Sequence, residues 1–558
     1  MSLPRRLAIL AALAAIVLVS SHVRAEAPAP GKQLPLAQQI ARYAPTELTA
    51  DVSKLSEPDR KALEKIVEAA RLMDPLYLRQ VWSGNVAMQT KLEADATPAG
   101  QERLHYFKIN YGPWSRLDEN RPFIEGAPRK PAGANYYPED MSKEEFETWL
   151  KGLPESEKHK ATGFFHLVRR GADRKLTCVP YSVEYKEFLE PAAKLLKEAA
   201  ELTTNATLKK FLKTRAEAFG TDDYYESDVA WMELDAPIEP TIGPYETYED
   251  ELFGYKAAFE GYVTLRDDAE SAKLAKFSSM LQELENNLPM DPKYRNPKIG
   301  AIAPIRVVGE VLSAGEGRRG VQAAAFNLPN DDKVTKEKGS KRVMLKNVQE
   351  AKFNRILVPI SKIVLVPEQQ GDVAFDAFFT HILMHELMHG IGPHEVTVDG
   401  KKIPMRKQLK DLYSAIEEAK ADVTGLWALQ VLIDKGAIDK AMEKTMYTTF
   451  LASMFRSMRF GINEAHGKGI AIQFNYFVDE GAIKIDEKGG TFSIDAAKIK
   501  DTVKKLTGEI LTLEAEGAYD KCKALIERLA VARPPMKAAL AKLEALPVDI
   551  EPQFPQAK

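Results

Sequence analysis

The 558-residue sequence predicts an α+β protein of two lobes, a mixed one followed by a mainly helical one. Three observations carry this. With 45% hydrophobic and 28% charged residues the composition is ordinary and globular, and the length supports more than one hydrophobic core. Short β-branched segments cluster in the middle of the chain. Apolar residues at three- and four-residue spacing dominate before and after them.

The chain opens with Arg5 and Arg6, an apolar run from Leu7 to Val19, and Val23-Arg24-Ala25. This pattern predicts a secretory signal over residues 1–25, cut after Ala25, and therefore an exported, periplasmic protein. The alternative is an uncleaved anchor helix. No cysteine follows the run to take a lipid, and no later segment approaches the roughly 20 apolar residues of a membrane span. A formal charge of −3 excludes the basic excess that a nucleic-acid partner requires.

Residues 26–50, rich in Pro and Ala, lead into the fold. From Ser56 to about Leu212 the pattern is helical, as in "SKEEFETWLKGL", where Ser142 and Glu145 have capping-box spacing. "EGYVTLRD", "APIRVVGEVLS", "KRVMLKNV" and "RILVPISKIVLV" then read as strands. After Asp372 the reading returns to helix, interrupted by turns at Gly400 and at Gly489-Gly490. Cys178 and Cys522, the only cysteines, lack zinc-site spacing and are read as structural.

"HILMHELMHGIGPHE" (His381–Glu395) holds four of the nine histidines. On a helix, His385 and His389 project from one face within reach of a single ion. Glu386 between them completes HExxH, in which two histidines bind zinc and the glutamate activates water. A third ligand is needed, and "SAIEEAKADVTGLWAL" offers Glu417, Glu418 and Asp422. Glu418 is the favoured ligand. Asp422, four residues on, is placed to orient a ligand histidine from outside, and Glu417 is a further outer carboxylate. His381 is read as packing or outer support, and His394 as a surface residue.

With HELMHG and EEAKAD both present, the chain resembles the dipeptidyl peptidase III family of zinc exopeptidases. "GPYETYEDELFGYKAAFEGYV", "FNLPNDDKV" and "EAHGKGIAIQFNYFVDEGA" look like that family's Glu-x-Tyr segment, Asn-x-Pro-Asn loop and histidine-bearing helix. The likeness covers most of the chain from about residue 180. Two departures stand out. Many members carry one more residue between the motif histidines, and the family has an arginine where this chain has Ile470.

The resemblance implies a small β-barrel in the lower lobe and one zinc ion in the upper, with the active site in the cleft between. It assigns roughly residues 26–266 and 311–355 to the lower lobe, 267–310 and 356–540 to the upper, and 541–558 to a C-terminal tail. It implies release of dipeptides from the N-terminus of short peptides, with Glu386 as general base. Tyr248 and His466 are then expected to stabilise the oxyanion, and Glu246, Asn327 and Asn330 to hold the substrate's ammonium. The alternatives are an endopeptidase and a catalytically idle periplasmic peptide-binding protein.

Overall fold

The computed structural model describes residues 33–299, 304–398, 400–462 and 464–557, so the signal expected at 1–25 lies outside it. The protein is a mixed α/β fold of two lobes. In the lower lobe, helix Glu57–Arg71 starts where Ser56 accepts a hydrogen bond from the Asp59 amide at 3.2 Å. It buries Ala62, Leu63, Ile66, Val67 and Ala70 along one stripe. The Ser142 cap forms as its spacing predicts, accepting from the Glu145 amide at 3.1 Å.

The stripe of Glu57–Arg71 faces a five-stranded sheet. Its strands are β1 (Thr241–Pro244), β2 (Phe259–Arg266), β3 (Ile305–Gly315), β4 (Ala325–Leu328) and β5 (Lys341–Leu345). They pair in the order β1-β2-β3-β5-β4. β5 runs parallel to β3 and antiparallel to β4, and Arg342 stands directly opposite Asn327. Opposed residues point to the same face of a sheet, so these two side chains share one. Among the described residues no ladder joins β1 to β4, which leaves β4 an edge.

The upper lobe is a helical cluster: α1 (Phe375–Met388), α2 (Tyr413–Asp434), α3 (Ala441–Met458), α4 (Ala465–Asp479) and α5 (Ile499–Ala515). α2 is buried nearly all round, because α1, α4 and α5 pack on its different sides. Two glycines permit the closest approaches. A Cβ on Gly425 would lie 3.3 Å from the backbone nitrogen of His385, and one on Gly469 would lie 2.9 Å from that of Ala419. The backbones of α1 and α4 are thereby drawn onto α2, one near each end of the carboxylate run.

One expected strand is helix. "RILVPISKIVLV" forms a wide turn over Phe353–Leu357 and an α-helix over Val358–Val364. A short apolar run suits a buried helix as well as a buried strand, and here Ile356, Ile360 and Val364 are buried at four-residue spacing. The expected tail, meanwhile, is part of the lower lobe. Asp549–Gln553 pairs in parallel with Tyr43–Glu47, and buried Asp549 meets Lys352 at 2.9 Å. No described helix is long and apolar enough to cross a membrane.

Candidate metal centre and cleft

His385 lies in the last turn of α1 and His389 caps its end, with αR backbone angles that keep both rings on one side. Their Nε2 atoms approach to 3.2 Å, with the rings edge to face. From α2, Glu418 Oε2 reaches within 3.4 Å of His385 Nε2 and 4.0 Å of His389 Nε2. The three ligand atoms lie within 4.8 Å of one another, and Glu418 Oε2 is buried without a hydrogen-bond partner.

The outer face of each imidazole explains its orientation. Asp422 Oδ1 lies 2.8 Å from His385 Nδ1, and Glu417 Oε1 lies 2.7 Å from His389 Nδ1. An ionised carboxylate only accepts, so each Nδ1 carries the proton, and each Nε2 turns its lone pair inward. Lys420, fully buried, holds Glu417 Oε1 at 2.8 Å and the Met388 carbonyl at 3.0 Å. That ties α2 to the end of α1.

Charge follows the same design. Burial works against the Glu417 charge, but Lys420 and His389 overcome it and hold the carboxyl down to about 2. Burial likewise opposes the charge of Asp422, which His385 outweighs, and that of Glu418, which His385, His466 and His389 together outweigh. Two imidazole Nε2 atoms and one carboxylate oxygen that converge on a common point form a donor set for one cation. A tetrahedral zinc site with bonds of roughly 2.0–2.1 Å has edges of about 3.3–3.4 Å. The separations of 3.2 and 3.4 Å fit it, and 4.0 Å needs a small movement of Glu418.

The other histidines fall as follows. His381 is buried, its Nε2 3.1 Å from the Asp422 carbonyl oxygen and its ring against Phe450. His394 is exposed in the turn after the motif. His466, at the start of α4, is 63% exposed on its side chain, with Nε2 3.3 Å from Glu418 Oε2 and Nδ1 3.2 Å from Glu464.

A cavity of about 530 Å³ on the lower lobe reaches Glu386, the motif residue next to ligand His385. Glu386 lines its upper wall; Glu246, Tyr248, Asn327 and Asn330 line the other. Asn330 Nδ2 donates to the Tyr245 carbonyl at 3.0 Å and lies 3.4 Å from Glu246 Oε2, which fixes the loop against the Glu-x-Tyr segment. Burial raises the Glu246 carboxyl. Tyr248 is 71% exposed, an unburied aromatic standing across the cavity from Glu386.

Sequence reasoning missed the four other charged residues of the lining: Glu260, Glu316, Arg319 and Arg342. Burial pushes Glu316 up to about 7, with Arg319 at 2.9 Å opposing the shift. Glu260 is raised well above the usual range by burial and then by Glu316 and Glu246. A glutamate inside the apolar run "AAFEGYV" was the available signal for Glu260, since an isolated charge in a buried strand asks for a reason.

The model of peptidase family M49 matches residues 168–402. A protein of Arabidopsis thaliana named Nudix hydrolase 3 is 45% identical over 579 residues, covering 94% of this chain and 75% of its own length. Among solved structures, dipeptidyl peptidase III from Caldithrix abyssi superposes with a TM-score of 0.90 at 50% identity, over 93% of this chain and 99% of that one. Dipeptidyl-peptidase III from Corallococcus sp. strain EGB, at 58% identity over 94% and 98%, superposes with a TM-score of 0.78.

Proposed function

Because the chain belongs to the dipeptidyl peptidase III family, peptidase family M49, and is a peptidase, we propose a specific activity. It is a zinc-dependent exopeptidase that releases dipeptides from the N-terminus of short peptides. One observation carries this reading. His385, His389 and Glu418 converge beside Glu386, and Glu386 shares a cavity with Glu246, Asn327 and Asn330.

His385, His389 and Glu418 would hold the zinc, which supplies a Lewis acid able to polarise a carbonyl and to make water more acidic. Glu386 takes the proton from the attacking water and passes it to the leaving amine. Asp422 and Glu417 keep the two imidazoles turned and their Nε2 lone pairs free. The oxyanion needs donors set in advance, and His466 from the upper lobe and Tyr248 from the lower are the candidates. At the far end of the cavity Glu246 offers a charge to the peptide's ammonium, while Asn327 and Asn330 contribute side-chain oxygens.

Roles split between lobes require the lobes to approach one another. The N-terminal signal pattern supports export to the periplasm, where short peptides are the expected substrates.

The decisive experiment takes the purified mature chain and a panel of dipeptidyl, aminoacyl and internally quenched peptides, with and without chelator. Chelator-sensitive release of N-terminal dipeptides is the expected result. Cleavage at internal bonds makes the protein an endopeptidase. Binding of peptides with no hydrolysis of any makes it a binding protein.

A further inference from the structure

Arg342 sits on β5, next to the edge strand, on the sheet face it shares with Asn327. Its side chain crosses the cleft. One guanidinium nitrogen, Nη1, donates to the backbone carbonyl of Glu386, and Nε lies 3.2 Å from Glu386 Oε2. Among the described residues these are the polar contacts that join the five-stranded sheet to α1. Both side chains line the cavity and are only partly exposed, at 20% and 25%. At that depth the contact is less screened than a surface pair.

The two contacts differ in kind. The bond to the carbonyl is independent of what the Glu386 carboxylate does. The contact to the carboxylate is a charge pair without an aligned hydrogen bond, since Nε has no partner in that sense. An incoming water can therefore take the carboxylate without breaking the grip on the helix.

We propose that Arg342 is a positioning residue that couples cleft closure to Glu386: it clasps the end of α1 to the sheet beside the amine-binding residues. By this clasp the reacting bond and the substrate's ammonium are held at a fixed separation. The proposal rests on the peptidase reading for its kinetic consequence, but not for its structural one.

The test compares wild type, Arg342→Met and Arg342→Lys by small-angle scattering without substrate, by zinc content and by steady-state kinetics. Arg342→Met should widen the cleft, seen as a larger radius of gyration, and keep its zinc. Its kcat/KM should fall roughly ten-fold, with kcat and KM both changed as for a closure mutant. Arg342→Lys, which keeps a cation able to grip the carbonyl, should recover most of both effects. If Arg342→Met fails to fold, Arg342→Gln, shorter and uncharged, gives the same readout: its radius should again exceed that of wild type. An unchanged radius in the variant that folds overturns the proposal. So does a wider cleft with wild-type kcat/KM. If wild type cuts no peptide, the peptidase reading fails, and scattering alone still decides the clasp.

Discussion

Asp422 Oδ1 lies 2.8 Å from Nδ1 of His385, while Glu418, one helical turn earlier, lies 3.4 Å from Nε2 of the same ring. The imidazole is thus gripped on both sides by one helix. Replacing Asp422 with Asn keeps the shape and removes the charge that fixes the tautomer. Zinc affinity should fall by about 10–100-fold, the usual effect of losing an outer partner. A competitive chelator titration measures it, and unchanged affinity would show that the ring is held by packing alone.

Glu418→Ala removes the one carboxylate whose oxygen is buried, unpartnered and aimed between the two Nε2 atoms. About one zinc per chain is expected in wild type and much less in the variant, by elemental analysis. Full retention would transfer the ligand role to Glu417 or His381.

Glu386→Gln separates binding from chemistry. The amide keeps the volume and cannot take a proton, so zinc should stay while turnover falls roughly 10²–10⁴-fold. Activity near wild type would remove Glu386 from the mechanism.

N-acetylation of a good tetrapeptide substrate removes the ammonium that Glu246 is placed to receive. Cleavage should largely stop, and Glu246→Ala should harm the free peptide far more than the acetylated one. Equal cutting of both, at internal bonds, would falsify the dipeptide ruler.

Gly469→Ala tests how the centre is brought together. Alanine gains about 0.5–1 kcal/mol of helix preference over glycine. Its Cβ would lie 2.9 Å from the Ala419 nitrogen, a backbone atom that cannot step aside. Overpacking costs about 1–3 kcal/mol and should win, so the melting temperature should drop. Because Ala419 adjoins Glu418, zinc affinity should weaken with it. A variant more stable than wild type would show that α4 has room to shift.

How much of this was legible in the sequence depends on the range of each contact. His385 and His389 share a face because α-helical spacing puts them there, and Glu418 and Asp422 do so for the same reason. The meeting of the two helices is another matter. It depends on Gly425 and Gly469, which by pattern alone are unremarked residues inside helices. Arg342 was invisible because its place comes from the register of β5 with β4 and from the approach of a distant helix. Local periodicity holds no trace of either. The reading of "RILVPISKIVLV" as strand failed because β-branched content outweighed a four-residue spacing that was present in the same letters.

The parallel pairing of Tyr43–Glu47 with Asp549–Gln553 brings the two ends of the described chain together on one lobe. The helical lobe is therefore a long excursion, leaving and returning to a common base. Anchoring both termini to a bead or a surface would load that base and leave the moving half untethered. A linker joining the ends, with new termini opened in the hairpin turn at Gly489-Gly490, should yield a circular permutant that still folds.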